Sequence, residues 1–143
     1  ISDAWIDVSK LPYRLKDGIL VNKELLVYTM LDNVLHGTRY TVFPRVRLAD
    51  ILLVPPDTEN RQQYISRVNE RSIDILIADS EGLKPVMAVI LDTPRDNKKK
   101  ALSDQFVEKV LRTAAISFLR IDLSNIPSEE ALKKTMVSLG LKL

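Results

Sequence analysis

Apolar positions recur at two different periods along this chain, and the switches between them mark out the elements. From Asn22 onward, Val27, Met30, Leu31 and Val34 fall at helical spacing, with Asn22 as the expected N-cap, Glu24 in the first turn and Gly37 as the stop. Tyr40 to Leu48 then changes to period two. Val42, Val46 and Leu48 are expected on one face and Phe43, Arg45 and Arg47 on the other, while Pro44 calls for an edge strand or a bulge. Pro55-Pro56-Asp57 breaks the chain, and Asp57 is the expected cap of a polar surface helix reaching about Arg71, with a narrow stripe of Tyr64, Ile65 and Val68. Ile73 to Ala78 and Val86 to Leu91 read as strands joined by a turn at Ser80-Glu81-Gly82, the second apolar on both faces and therefore central. A helix from Lys98 to Ala114 buries Phe106, Val107, Val110, Leu111 and Ala114, and Ile116 to Ile121 is a short buried strand. Ile126-Pro127-Ser128 opens a last helix that ends at Gly140, with Leu132, Met136 and Leu139 facing inward.

This order predicts an α/β domain, a mixed central sheet of about four strands flanked by helices. The hairpin must be antiparallel, and the strand–helix–strand from Val86 to Ile121 is expected to be a right-handed parallel crossover. Residues 1–21 form an irregular N-terminal arm, with Trp5 and Tyr13 tucked onto the core, and residues 22–143 form the domain. No linker, repeat or low-complexity stretch divides it.

Composition narrows the function classes. At 143 residues, 45% hydrophobic and 28% charged, the chain suits one packed core and not a disordered tail. The longest apolar run, Pro85 to Leu91, is strand-sized, so no membrane contact is expected from this segment. Zero cysteines exclude disulfides and thiolate metal sites, and a single histidine, His36, excludes multi-histidine zinc. His36 precedes Gly37 at a helix end, where it is expected to meet free carbonyls. With no signal-peptide pattern, cytoplasmic residence is the expectation, and a chain opening on Ile1 is expected to be a piece of a longer one. A net charge of +2 does not mark a nucleic-acid binder, so a basic surface must come from clustering.

The candidate chemistry lies in carboxylates. Four unclustered glycines exclude a phosphate-cradling loop, and no serine sits in a nucleophile elbow. Asp74 interrupts Ile73, Ile75 and Ile77 on the opposite face of its strand, where an unpaired carboxylate is costly to bury. Asp92 closes the neighbouring strand. With Glu24 arriving from the first helix, the acids could make an oxygen-rich site for Mg²⁺ or Mn²⁺ acting on a phosphodiester. Alternatively they are strand-end acids paired with Arg or Lys, which spacing alone favours. Arg95, Lys98, Lys99 and Lys100 follow Asp92 at a helix start, where the dipole disfavours cations; they suit phosphate contact, extended by Arg45 and Arg47, or form a solvated charged loop.

The run Val42-Phe43-Pro44-Arg45-Val46-Arg47-Leu48-Ala49-Asp50 resembles the signature of a bacterial family, domain of unknown function 2726. Ile73-Asp74-Ile75-Leu76, Ala88-Val89-Ile90-Leu91-Asp92, Asp104-Gln105-Phe106 and Ala114 to Ile121 continue the resemblance, which covers roughly Asn22 to Ile121. That family is similar to the restriction-endonuclease-like superfamily of PD-(D/E)XK nucleases, so the resemblance implies an α-β-β-β-α-β core with the Asp57–Arg71 helix inserted. It implies that Asp74 is the metal-binding aspartate, that Asp92 stands at the lysine position, and that Glu24 is a first-helix glutamate typical of the family. Ile90, however, stands where the second metal-binding acid belongs, the histidine often found after this strand is missing, and Ala115 replaces a common glycine. The implied function is that of a nuclease-like domain with a degenerate metal site, acting on or binding DNA or RNA with weak or no cleavage and weak Mg²⁺ or Mn²⁺ binding at Asp74 and Asp92. The alternative is a non-catalytic structural or protein-interaction module.

Overall fold

The computed structural model describes Trp5 and residues 7–143. Helix α1 (Asn22–Leu35) leads into strand β1 (Tyr40–Arg47) and helix α2 (Arg61–Asn69). Strands β2 (Ser72–Asp79) and β3 (Pro85–Asp92), helix α3 (Lys98–Thr113), strand β4 (Ser117–Asp122) and helix α4 (Glu129–Ser138) follow. The strands make one mixed sheet in the order β1-β2-β3-β4, antiparallel from β1 to β3 and parallel between β3 and β4. A parallel pair needs a long connection, and α3 supplies it. Pro44, which has no N–H to donate, sits on the edge strand β1. Met87 to Val89 of β3 pair with strands on both sides, and Met87 to Leu91 are buried throughout.

Two apolar layers cover the sheet. Ile75, Ile77, Met87, Val89, Leu119 and Ile121 pack with Val27 and Leu31 of α1 and with Leu132 and Met136 of α4. The alternate positions, Leu76 and Ala88 among them, pack with Val107 and Leu111 of α3 and Val68 of α2. α3 therefore lies over one face and α1 with α4 over the other. Among the described residues, no helix is long and apolar enough to cross a membrane.

Several local expectations fail, each for an identifiable reason. Arg45 has a left-handed φ of 49°, which breaks the alternation of β1. Val42 consequently packs in the α1–α4 layer, while Val46 and Leu48 join the α3 layer, so the three do not share a face. Ile73 likewise packs with Leu48 and Val68, apart from Ile75 and Ile77. Asn22 is the first residue of α1 and not its cap, and Asn60 rather than Asp57 precedes α2; both asparagines are left-handed, a region their short amide tolerates. Leu139 and Ala114 lie past the ends of their helices and are exposed, and Leu141 is buried instead. Trp5 and Tyr13 are 80% and 79% exposed, so neither is tucked onto the core; among the described arm residues, Leu20 enters it. The arm expectation for residues 1–4 and 6 lies outside the described residues.

Ala115 follows the end of α3 with a left-handed φ of 59°, the conformation for which glycine is favoured after a helix. Ala115→Gly should therefore raise stability by about 0.5–1 kcal/mol, partly offset by the freedom glycine adds to the unfolded chain. Ile75→Ala, at a fully buried position, should lower it by about 2–5 kcal/mol. Urea unfolding of both variants checks the pair, and a destabilised Ala115→Gly would contradict the strain at that residue.

Candidate functional site

The site lies where the β2–β3 ladder opens. Backbone pairing runs from Ala78–Pro85 to Ile75–Val89 and goes no further toward Asp74. Leu91, beyond that opening, still pairs with Ile121 of β4 but on its β2 side meets side chains in place of backbone. Its N–H donates to Asp74 Oδ2 at 2.9 Å, and its carbonyl accepts from Lys100 Nζ at 3.4 Å. The other Asp74 oxygen, Oδ1, accepts from Arg45 Nη1 at 3.0 Å. Nη2 of the same guanidinium reaches Glu24 Oε2 at 3.1 Å and Oε1 at 3.3 Å. One arginine on β1 thus joins a carboxylate from α1 to a carboxylate from β2.

Asp92 belongs to a second group. Its carboxylate accepts from Arg120 Nε at 3.0 Å and Arg120 Nη2 at 2.5 Å. Arg120 also donates to Glu108, and to Asp104 Oδ2 at 3.2 Å. Asp104 in turn accepts from Lys100 Nζ at 2.8 Å, and Asp96 lies 3.5 Å from the same ammonium. Lys100, Asp104 and Glu108 recur every four residues on α3 and so share one face of the helix. Lys100, bonded to both Asp104 and the Leu91 carbonyl, links the two groups. Ile90, adjacent to Arg120 across the β3–β4 ladder, is 4% exposed.

Burial raises the Asp74 carboxyl above its ordinary value of 3.8, although the Leu91 N–H, Arg45 and Lys100 all pull it down; Glu24 adds to the rise. Desolvation works against the charge of Lys100, yet Asp104, Asp96 and Asp74 together lift its pKa. Arg120 is raised by its hydrogen bonds to Asp92 and, against some desolvation, to Glu108. Asp96 suffers desolvation too, but the Thr93 N–H and hydroxyl and the nearby Lys100 lower it overall.

The donor set does not fit the divalent ion that the resemblance implies. Both oxygens of Asp74 and both of Asp92 already accept hydrogen bonds, and Ile90 offers buried hydrocarbon where an acid would be needed. Among the described residues, no group of three or more His, Cys, Asp or Glu is placed to hold a metal ion. Glu24 and Asp74 are brought together through Arg45, whereas Asp92 answers to a different arginine.

The expected basic patch divides as well. Arg45 and Lys100 turn toward carboxylates, and Arg47 pairs with Asp50 at the surface. Arg95, Lys98 and Lys99 are exposed, and none of them forms an ion pair among the described residues. Lys98 and Lys99 line a surface hollow with Glu70, Arg71, Leu102 and Ser103. His36 is an exposed residue that caps the end of α1 through its backbone N–H, which donates to the Asn33 carbonyl. The partners that sequence reasoning missed are Arg120, Asp104 and Glu108; the four-residue recurrence of Lys100, Asp104 and Glu108 was the available signal.

Residues 16–139 match the family described as Protein of unknown function (DUF2726). The chain belongs to this family. The match extends the Asn22–Ile121 resemblance through α4, so the last helix is part of the family domain. No curated protein and no solved structure matches the chain.

Carboxyl titration by NMR checks the charge arrangement. Asp74 should titrate above 3.8, whereas Asp79, bonded by the Glu81 N–H and Arg39, and Asp122, bonded by the Ser124 hydroxyl and N–H, should titrate below it. Asp74 then holds its proton more tightly folded than unfolded. Its contribution to stability therefore falls as pH rises from 3.8 through the raised value, the reverse of the dependence at Asp79. An Asp74 that titrates below Asp79 would contradict this.

Proposed function

We propose that this is a restriction-endonuclease-like domain that has kept the nuclease layout, lost its metal chemistry, and binds nucleic acid with weak or no phosphodiester cleavage. The observation that carries the reading is the position of Asp74. It reaches across the open end of the β2–β3 ladder to the peptide of Leu91, between Ile90 and Asp92, in a domain that runs α-β-β-β-α-β before α4 once α2 is set aside. The element order and the juxtaposition of Asp74 with the Ile90-Leu91-Asp92 strand end are what a PD-(D/E)XK ancestry requires. The arginines bonded to both aspartates, and the buried Ile90, support a site that no longer loads Mg²⁺ or Mn²⁺ to a useful extent.

Binding is supported by what remains free around the start of α3. Lys98 and Lys99 oppose the helix dipole, so helix stability does not account for them. They flank a hollow to which Arg71 and Ser103 also contribute, and an anionic backbone is the partner this chemistry suits. Glu70 at the same hollow limits the local positive potential and favours modest affinity.

Fluorescence anisotropy with labelled duplex DNA, single-stranded DNA and single-stranded RNA tests this reading across a salt series. Affinity should fall steeply with salt, and Lys98→Glu with Lys99→Glu should flatten the log–log slope by about 0.7–0.9 per lost phosphate contact. Asp74→Ala should leave binding intact. In parallel, Mn²⁺ should yield no cleavage that the Asp74→Ala protein lacks. Salt-independent binding, or none, would remove the nucleic-acid reading in favour of a structural or protein-interaction role. Cleavage abolished by Asp74→Ala would instead show a working metal site.

A further inference from the structure

A half-buried carboxylate such as Asp74 is steadied by a positive partner, and a domain can supply either a bound ion or one of its own side chains. Here the partner is a side chain. The guanidinium of Arg45 lies between Glu24 and Asp74, with one nitrogen on each, and it reaches them from a residue whose backbone is left-handed in the middle of an edge strand. A non-glycine residue in that conformation is strained by about 1–2 kcal/mol, a cost the surrounding structure must offset. The neighbouring pairs Pro44–Ile75 and Val46–Ile73 keep their register on either side of it. Arg45 is thus held in place from both sides while its side chain crosses toward α1.

We infer that Arg45 is the resident cation of this site, holding by itself the place between Glu24 and Asp74 that a divalent ion would otherwise take. A guanidinium suits the task, because it stays charged at any working pH and its planar fork serves two carboxylates at once. It also excludes a metal, since an incoming ion would have to displace a tethered cation from both acids. The inference concerns cation occupancy alone and stands whether or not the domain binds nucleic acid. Removing the guanidinium should leave two facing carboxylates that attract a divalent ion.

Mn²⁺ binding to the full chain, read from the electron paramagnetic resonance signal of the free ion, tests this without any nucleic acid. Arg45→Gly is the variant of choice, because glycine accepts the φ of 49° without strain. It should bind Mn²⁺ at least about tenfold more tightly than the parent. Adding Asp74→Asn should abolish the gain, and Mn²⁺ should raise the melting temperature of Arg45→Gly but not that of the parent. A folded Arg45→Gly protein with no gain in Mn²⁺ affinity would overturn the inference.

The unaltered protein supplies a second measurement that needs no variant to fold. Its Leu91 amide donates to Asp74 and therefore reports on any paramagnetic ion held by that carboxylate. Millimolar Mn²⁺ should leave the Leu91 amide resonance no broader than those of amides in the exposed Ser80–Gly82 turn. Selective broadening at Leu91 would mean that the ion enters with Arg45 present, and the inference would fail.

Discussion

The N–H and C=O of Leu91 have no backbone partner on β2, and the local structure is arranged around that gap. Past the Ile75–Val89 pair, β2 no longer offers backbone groups to β3. A buried N–H and C=O left without partners would each cost about 1–3 kcal/mol. Asp74 and Lys100 meet that demand from opposite elements, one accepting and one donating. Once the carboxylate is committed there, it needs a cation of its own, which Arg45 provides, and the Arg45 side chain brings Glu24 and α1 into the same network. Lys100 similarly carries the demand to Asp104, Arg120 and Asp92.

Neutralisation, more than stability, is what this network accomplishes. Most of its side chains keep substantial contact with water, and ion pairs in such settings contribute about 0–1 kcal/mol each. The two sheet faces, by contrast, bury Ile75, Ile77, Met87 and Val89 on one side and Leu76, Ala88 and Leu111 on the other. Each of the larger side chains among them is worth about 1.5–3 kcal/mol, so the apolar layers carry the fold. That division explains how an isoleucine can stand at position 90. The sheet accepts it as a buried apolar residue.

Periodicity made most of the architecture legible in the sequence. Among the described residues, helical and two-residue spacings located the four α-helices and the four strands to within a few residues, and Pro44 correctly signalled an edge. It misled wherever one backbone angle interrupted the pattern. Nothing in Val42 to Leu48 announces that Arg45 is left-handed, yet that angle separates Val42 from Val46. The caps misled for a related reason, because the asparagines at the starts of α1 and α2 act through their own conformation and not as hydrogen-bonding side chains. At the site, the positions of Asp74 and Asp92 at the ends of their strand segments were readable. Which arginine each would choose was not, since Arg45 and Asp74 are 29 residues apart and Arg120 and Asp92 are 28 apart. Such pairings depend on register and side-chain reach.

The same geometry bears on how far this site stands from a metal-binding one. On the proposed nuclease ancestry, a single acid at position 90 would complete a ligand set if Ile90 were the only departure. The ion pairs make the distance greater. Asp92 presents both oxygens to Arg120, and Arg120 is also fixed by Asp104 and Glu108 from α3. An acid at position 90 would lie beside Arg120 in the β3–β4 ladder and would be drawn into that group, where the guanidinium already neutralises carboxylates. Asp74 would still be shared between Arg45 and the Leu91 N–H. On the proposed ancestry, an acid restored at position 90 would therefore not suffice, because the internal cations already neutralise the carboxylates that a bound ion would serve.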